Sequence, residues 1–482
     1  MTPPATGAPA APDPAGLPVA TDAFTGGAPV TGRFATDHAR WTLASATVGE
    51  HPMLVPAEAD PWEWRDERIG WGVVLPDVPG LDPAALARAE DAPEPIHRLV
   101  QDRHGRVLRY RADSGYADWT LRDYAGGGDL LTAASPPGSG PLQLPMYLLI
   151  YGTPAEIPWQ IQYALNPVRL VGRLDLTGEP LARYVDALLN DWAGSGARYE
   201  APVIWSVDHG GGEQDITTLM RDSIAAPLHA LFTEEGEQDI TAPEFVDGSA
   251  VEATGAALAD ALARNSPALV VTTSHGMTGP LDDPEKLRAG LGLPVGQDLA
   301  PVGPGELLAR WQPDGAIWFA RACCSAGADS PSAYHGLFEA ESPVARVLDG
   351  VAAAGAGVAP LPRALLGADR PLRAFVGQVE PTFNWTMSFP PNRQELTGAI
   401  GTALRDRLCN GRPVGLAMAP YFDPIGSLLL RYTRAVGTYG SSVREAARTA
   451  LDLALYSKVT AYDRAATVIL GDPTAAVPRP AR

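Results

Sequence analysis

The chain has few cysteines and few basic residues, and both shortages limit what it can do. It contains 3 cysteines in 482 residues, of which Cys323 and Cys324 are adjacent. That is too few for a disulfide framework, so a reduced, cytoplasmic location is predicted. The 37 basic residues against 56 acidic residues give a formal net charge of −19, without any run of Lys or Arg. Nucleic acid and anionic membrane surfaces are therefore not expected as partners.

The sequence also lacks long apolar runs and a signal-like start. No stretch of about 18 apolar residues occurs, so no membrane span is expected. The first residues have neither a basic start nor an apolar core, which argues against a secretory signal. Residues 1–30 are rich in Pro and Ala and are expected to form a disordered lead.

Length and composition predict more than one structural unit. At 482 residues and 45% hydrophobic content, the chain can form two or three domains with substantial cores. Residues 31–140 mix aromatic and charged residues with short β-like pieces, and are interpreted as a small β-rich accessory region. After a Gly/Pro/Ser-rich linker, the sequence from residue 145 onward has an α/β pattern.

From residue 145 onward, apolar strands alternate with helical patterns. The predicted strands are 146–152, 168–174, 201–207, 268–274, 316–322 and 373–379. The predicted helices are 181–194, 253–265 with Thr254 as N-cap, one opening at Ser342-Pro343, 394–409 and 441–458, whereas 277–310 is expected to be a long loop. This alternation predicts an α/β fold, a mostly parallel sheet covered on both faces. In such sheets the functional site lies at the carboxyl ends of the strands.

Two predicted strands end in residues suited to thiol catalysis. VVTTSHG ends at His275-Gly276, and AIWFARACCSAG carries Cys323 at its turn, 48 residues later (323 − 275). A Cys nucleophile needs a neighbouring imidazole as proton acceptor. The backbone amides of Gly276 and Cys323 would then stabilise the oxyanion. The alternative for any single buried Cys is that it is only a small hydrophobic residue.

These segments resemble the caspase-like (clan CD) cysteine peptidases. ARACCSAG is similar to the cysteine turn of bacterial CHAT-domain peptidases, and VVTTSHGMTGPL to their His-Gly segment. YLLIYGTPAEIP with VRLVGRL, and the later VILGDPTAAV, resemble gingipain-type peptidases. The resemblance implies a caspase-like α/β/α sandwich, with 145–200 as first subdomain and 201–478 as catalytic domain. It implies His275 as general base and acid and Cys323, not Cys324, as nucleophile. Arg321 departs from the small residue usual in the family.

The residues that would bind substrate are less defined by the sequence. The family places charged residues after the first catalytic strand and near the Cys, which here are Asp208 and Asp329, and Trp385 is a candidate wall of the groove. Two carboxylates would favour cleavage after Arg or Lys. The alternatives are that Asp208 caps a turn, Asp329 is solvated and Trp385 packs in the core. His209, beside an Asp in a Gly-rich loop, could assist catalysis or bind a metal, but no second His or Cys lies at metal spacing, so it is interpreted as a loop histidine. His335, close after the cysteine turn, is interpreted as a residue without a catalytic role, with a position in the cleft as the alternative.

The sequence is therefore interpreted as a bacterial cysteine endopeptidase that acts on a protein or peptide substrate. No cofactor and no metal are expected, although the acidic segment LDDPEK (281–286) is compatible with calcium. The sequence is also compatible with an activating protein partner. One alternative is a catalytically silent caspase-like scaffold in a bacterial signalling or defence system. Another is a different α/β enzyme with a Cys nucleophile, such as an amidase or acyltransferase.

Overall fold

The structure is a computed structural model that covers most of the chain from residue 20. It describes residues 20–26, 30–31, 34–35, 38–43, 59–210, 215–234, 239–389, 392, 394–441 and 444–478. Residues 1–19 of the predicted lead lie outside the described residues. The remainder of that lead includes Ala20–Thr21 and Ala23–Phe24, which are short strands.

Strands and helices alternate through the described residues. The strands are β1 Ala20–Thr21, β2 Ala23–Phe24, β3 Val30–Thr31, β4 Trp71–Pro76, β5 Arg106–Tyr110, β6 Thr120–Asp123, β7 Gly128–Leu131, β8 Tyr147–Tyr151, β9 Leu170–Leu174, β10 Val203–Ser206, β11 Glu244–Asp247, β12 Leu269–Thr273, β13 His275–Met277, β14 Pro294–Val295, β15 Ile317–Arg321, β16 Gly327–Ala328, β17 Gly357–Val358, β18 Ala374–Gln378, β19 Ser388–Phe389, β20 Gln394–Glu395 and β21 Thr467–Gly471. The α-helices are α1 His38–Leu43, α2 Pro83–Ala87, α3 Glu94–Asp102, α4 Trp159–Leu165, α5 Gly178–Leu189, α6 Ile216–Met220, α7 Ala226–Thr233, α8 Gly255–Asn265, α9 Pro284–Gly290, α10 Pro304–Leu308, α11 Pro343–Ala353, α12 Pro360–Leu366, α13 Gly398–Gly401, α14 Val414–Phe422, α15 Pro424–Ser441 and α16 Arg444–Ala465.

A twelve-stranded, mostly parallel sheet forms the centre of the molecule. Its spatial order is β11-β10-β12-β15-β18-β21-β9-β8-β4-β5-β6-β7. β11, β10, β12, β15 and β18 run parallel to one another, and β21 reverses the direction. β9, β8, β4 and β5 then follow the direction of β21, so the strands of residues 71–131 continue the same sheet. The carboxyl ends of the first five strands therefore lie along one edge.

The central strands are buried on both faces, which explains their continuous apolar sequences. Successive side chains point to opposite faces. In β15, Trp318 and Ala320 join the core that includes helices α5 and α8, whereas Ile317 and Phe319 join the core that includes α14. Two cores, one on each side of the sheet, make the α/β/α sandwich that the sequence predicts.

The helix and strand predictions are confirmed for most of the central elements, including the Thr254 N-cap of α8 and the Ser342 N-cap of α11. The prediction of a long loop at 277–310 is wrong, because α9, β14 and α10 lie within it. The predicted helix at 394–409 begins only at Gly398 and continues as π and 3₁₀ turns to Asn410. Within the described ranges, no helix combines the length and the apolar character that crossing a membrane requires.

Candidate active site

The predicted catalytic residues lie at the edge where the parallel strands end. His275 follows β12, Cys323 follows β15, and Asp208 and Glu380 follow β10 and β18. A second, three-stranded sheet, β14-β13-β2, lies at this edge and contains His275 and Gly276 in β13. The parallel topology therefore brings together residues that are far apart in the chain.

The cysteine turn packs tightly against the His-Gly segment. A Cβ added at Gly276 would lie 1.9 Å from the Cys323 carbonyl oxygen and 2.9 Å from the Cys323 nitrogen. Cys324, the next residue, has a left-handed φ of 56°, and its amide donates to the Glu380 carbonyl at 3.3 Å. The atoms that approach Gly276 so closely are therefore backbone atoms of Cys323.

The two nitrogens of His275 face different groups. Nδ1 lies 2.7 Å from the carbonyl oxygen of Asp22, and Nε2 lies 3.9 Å from an Asp215 carboxylate oxygen. The ring also stacks on Phe24 and His209, with centroid distances of 6.0 and 5.6 Å. Burial lowers the pKa of His275, and the nearby Asp215 carboxylate opposes this shift. Burial therefore favours the neutral imidazole, and the Asp215 carboxylate faces its Nε2 edge without a hydrogen bond to it.

Cys323 is fully buried, and polar groups surround its sulfur. Sγ donates a hydrogen bond to Asp22 Oδ1 and accepts one from the Thr382 amide at 3.1 Å. Thr21 Oγ1 is 3.3 Å from the same sulfur. Burial and the Asp22 carboxylate raise the pKa of the Cys323 thiol well above its usual value. This arrangement therefore favours the thiol over the thiolate.

Asp22 connects the two predicted catalytic residues. Within the described structure, the side chains of Cys323 and His275 make no hydrogen bond to each other. Its carbonyl oxygen accepts from the Gly276 amide at 3.0 Å and faces His275 Nδ1, while its carboxylate accepts from Cys323. Of the two amides predicted for the oxyanion hole, the Gly276 amide is the one bonded to this carbonyl. Burial raises the pKa of Asp22 to about 7, although the Arg321 charge opposes the shift.

Arg321, the departure from the family pattern, is buried behind the site. Its guanidinium lies 3.1 Å from the Asp463 carboxylate of α16 and donates to Thr386 Oγ1 at 2.8 Å. Both charged side chains are almost fully buried, at 3% and 2% exposure. The residue therefore supports the base of the cysteine turn and does not line its surface.

The residues predicted to bind substrate lie in separate environments. Asp208 is partly exposed at the end of β10 and accepts from Thr218 Oγ1 and the Gly210 amide, at 2.5 and 2.8 Å. Asp329 is buried and accepts from Gln160 at 2.7 Å, and burial raises its pKa to about 6. Trp385 is also buried and stacks on Phe383 with a centroid distance of 4.2 Å. Of the three, Asp208 is the one that follows a parallel strand of the central sheet, at the edge that also carries His275 and Cys323.

Three residues of the site, Thr21, Asp22 and Asp215, were missed in the sequence, whereas His209 lies in the loop after β10, as interpreted. Thr21 and Asp22 belong to the stretch expected to be a disordered lead, and the two-residue strands on either side of Asp22 are too short to show a period. Asp215 follows a Gly-rich loop and caps α6 by accepting from the Thr217 amide at 2.8 Å. An Asp before an apolar run is a recognisable N-cap signal, but it contains no information about His275, which is 60 residues later (275 − 215).

The other candidate residues have local structural roles. Asp283, in the acidic segment 281–286, caps α9 and pairs with Lys286 at 2.9 Å. His335 is exposed and lies 3.3 Å from Asp349. Among the described residues, no group of three or more His, Cys, Asp or Glu side chains has an arrangement that could hold a metal ion.

The topology and the two cores define the class of the fold, a three-layer α/β sandwich with a large, mostly parallel sheet. No family model matches the chain, and no curated protein matches it. Among solved structures, the complex of the pro- and mature domains of RgpB from Porphyromonas gingivalis is similar to it at 13% identity and a TM-score of 0.38. The match covers 85% of this chain and 80% of that chain.

Proposed function

We infer that the protein is a cysteine peptidase with Cys323 as nucleophile and His275 as its proton acceptor. The observation that carries this proposal is the position of the Asp22 peptide carbonyl. Its oxygen accepts from the Gly276 amide and lies 2.7 Å from His275 Nδ1, as the carbonyl of a bound peptide would, while the carboxylate of the same residue accepts from the Cys323 thiol. A substrate carbonyl in this place would have the nucleophile, the acid-base group and an oxyanion donor around it.

The reaction follows from these positions. With a substrate bound, His275 Nδ1 takes the thiol proton, and the sulfur attacks the carbonyl carbon while the Gly276 amide stabilises the oxyanion. The C–N bond then breaks, and His275 gives the proton to the departing amine. Water attacks the thioester, releases the acid and restores the thiol. Asp215 stabilises the imidazolium that forms between these steps.

The finer part of the proposal is cleavage after Arg or Lys. Asp208 supports it, because this carboxylate is partly exposed at the same sheet edge as His275 and Cys323. Asp329 and Trp385 contribute less support, since both are buried in separate contacts. An acidic side chain that is partly withdrawn from water is a suitable partner for a cationic residue next to the scissile bond.

The test is labelling with acyloxymethyl-ketone peptides that place Arg, Lys, Asp or Leu next to the reactive group, followed by intact mass measurement. We expect one adduct, which is lost in Cys323→Ala, retained in Cys324→Ala and slowed at least a hundredfold in His275→Ala. Faster labelling by the Arg and Lys probes would support the specificity. An adduct that persists in Cys323→Ala would contradict the assignment. Absence of any adduct would mean either a latent enzyme that awaits an activator or the silent scaffold.

The position of Asp215 leads to a prediction for His275. Asp215→Asn removes the charge but keeps a good N-cap for α6, so the helix should be retained. We expect the pKa of His275 to fall further, because the carboxylate that favours the imidazolium is lost. NMR titration of labelled histidines, with the signal assigned by His275→Gln, measures this shift. Asp208→Asn is the control, and an equal shift in that variant would argue against a specific role for Asp215.

A further inference from the structure

We propose that Thr21–Phe24 is a built-in inhibitory segment that occupies the substrate position of the Cys323–His275 site. This inference rests on the proposed function and specifies how that site is regulated. It starts from three contacts of Asp22, each with a group that catalysis requires: the Cys323 thiol, the His275 imidazole and the Gly276 amide.

The contact with His275 keeps a proton on Nδ1, the nitrogen that has to act as the base. A carbonyl oxygen only accepts hydrogen bonds, so His275 Nδ1 must carry a proton while it lies 2.7 Å from Asp22 O. A protonated Nδ1 cannot take the proton of the Cys323 thiol. The base is therefore unavailable as long as the Asp22 carbonyl occupies this place.

The contact with Cys323 keeps the sulfur protonated. The thiol donates its hydrogen to the Asp22 carboxylate, and a thiolate next to a carboxylate would be repelled by it. The Gly276 amide, the oxyanion donor of the proposed mechanism, is also occupied by the Asp22 carbonyl at 3.0 Å. Nucleophile, base and oxyanion donor are thus all engaged by one residue.

The segment is held as a peptide substrate would be, by main-chain pairing. β2 pairs in parallel with β13, with Ala23 opposite Gly276 and Phe24 opposite Met277. The Thr278 amide donates to the Phe24 carbonyl at 3.1 Å, and Ala23 is only 1% exposed. An incoming chain cannot use these hydrogen-bonding groups of β13 until β2 leaves.

The segment can leave without unfolding the central sheet. β2 is two residues long and belongs to the small sheet β14-β13-β2. Thr25 and Gly26, directly after it, are exposed, and Gly26 has a φ of 96° with no atom within 4 Å of a Cβ added there. This exposed turn is where displacement or cleavage of the segment would begin.

The experiment measures the rate at which iodoacetamide alkylates Cys323 in the full chain, by intact mass. Asp22→Ala removes the carboxylate contact, and Ala23→Arg places a long charged side chain at a buried position and should expel β2. We expect each variant to raise the alkylation rate of Cys323 at least about tenfold. This is the change in the thiolate fraction when the pKa of the thiol falls by one unit. Cys323→Ala in each background identifies the labelled residue, and circular dichroism confirms that the variants are folded.

Thr25→Ala is the matched control, because this side chain belongs to the same segment but is exposed, and its rate should equal that of the wild type. Wild-type rates in both Asp22→Ala and Ala23→Arg would overturn the inference. Peptide hydrolysis by the same proteins separates it from the proposed function. Fast alkylation of the two variants without peptide hydrolysis would support the inhibitory segment and contradict the peptidase. Equal hydrolysis by the wild type and Ala23→Arg would support the peptidase and contradict the inhibitory segment.

Discussion

Gly276→Ala is expected to destabilise the protein by about 3 kcal/mol or more and to separate the predicted catalytic residues. The added methyl carbon would lie 1.9 Å from the Cys323 carbonyl oxygen and 2.9 Å from the Cys323 nitrogen. These are backbone atoms, which cannot rotate away as the end of a side chain can, so the cysteine turn or β13 must shift. Overpacking of a well-packed interior typically costs 1–3 kcal/mol, and this contact is at the severe end. Urea unfolding at equilibrium measures the loss.

Gly290→Ala provides the matched control for this prediction. The Cβ added there meets only the Met277 side chain, at 3.6 Å, which is an ordinary contact. Its free energy of unfolding should stay close to that of the wild type. If Gly276→Ala were as stable as Gly290→Ala and Cys323 kept its labelling rate, the close packing of the two turns would be refuted.

The central sheet could be predicted from the sequence because its strands are short apolar runs with clear boundaries. The runs IWFA in β15 and LVV in β12 are buried on both faces, which explains why they are continuously apolar. The positions of His275 and Cys323 at one edge followed from parallel pairing. The strands of residues 71–131 were recognised as β-like, but their continuity with the same sheet depends on the pairing of β4 with β8, which no local pattern encodes.

The environment of the predicted dyad could not be read from local patterns. Asp22 lies 301 positions from Cys323, and its contacts depend on a two-residue strand in a Pro/Ala-rich stretch. From the sequence, Arg321 was only a departure from the family pattern, and charged side chains are seldom buried unless they are paired. Its partner, Asp463, is 142 positions away on a helix, so the sequence alone could not identify the pair.

The buried pair formed by Arg321 and Asp463 leads to the second large effect. Asp463→Ala should destabilise the protein by about 3–5 kcal/mol, because it leaves the Arg321 guanidinium buried without its compensating charge. The Thr386 hydroxyl, which donates to Asp463 at 2.8 Å, would lose this acceptor as well. Arg321 ends β15, two residues before Cys323, so Cys323 labelling should change along with stability. Urea unfolding and the rate of Cys323 alkylation measure the two effects.

Two comparisons show whether charge burial causes this loss. Asp260→Ala removes one partner of an ion pair whose side chains are 49% and 53% exposed, and it should cost no more than about 1 kcal/mol. The double variant Arg321→Met/Asp463→Leu removes both buried charges and should regain most of the stability lost in Asp463→Ala. If Asp463→Ala cost no more than Asp260→Ala, the pair would not support the cysteine turn. If the double variant were no better than the single one, the loss would come from packing around Thr386 and not from the unpaired guanidinium.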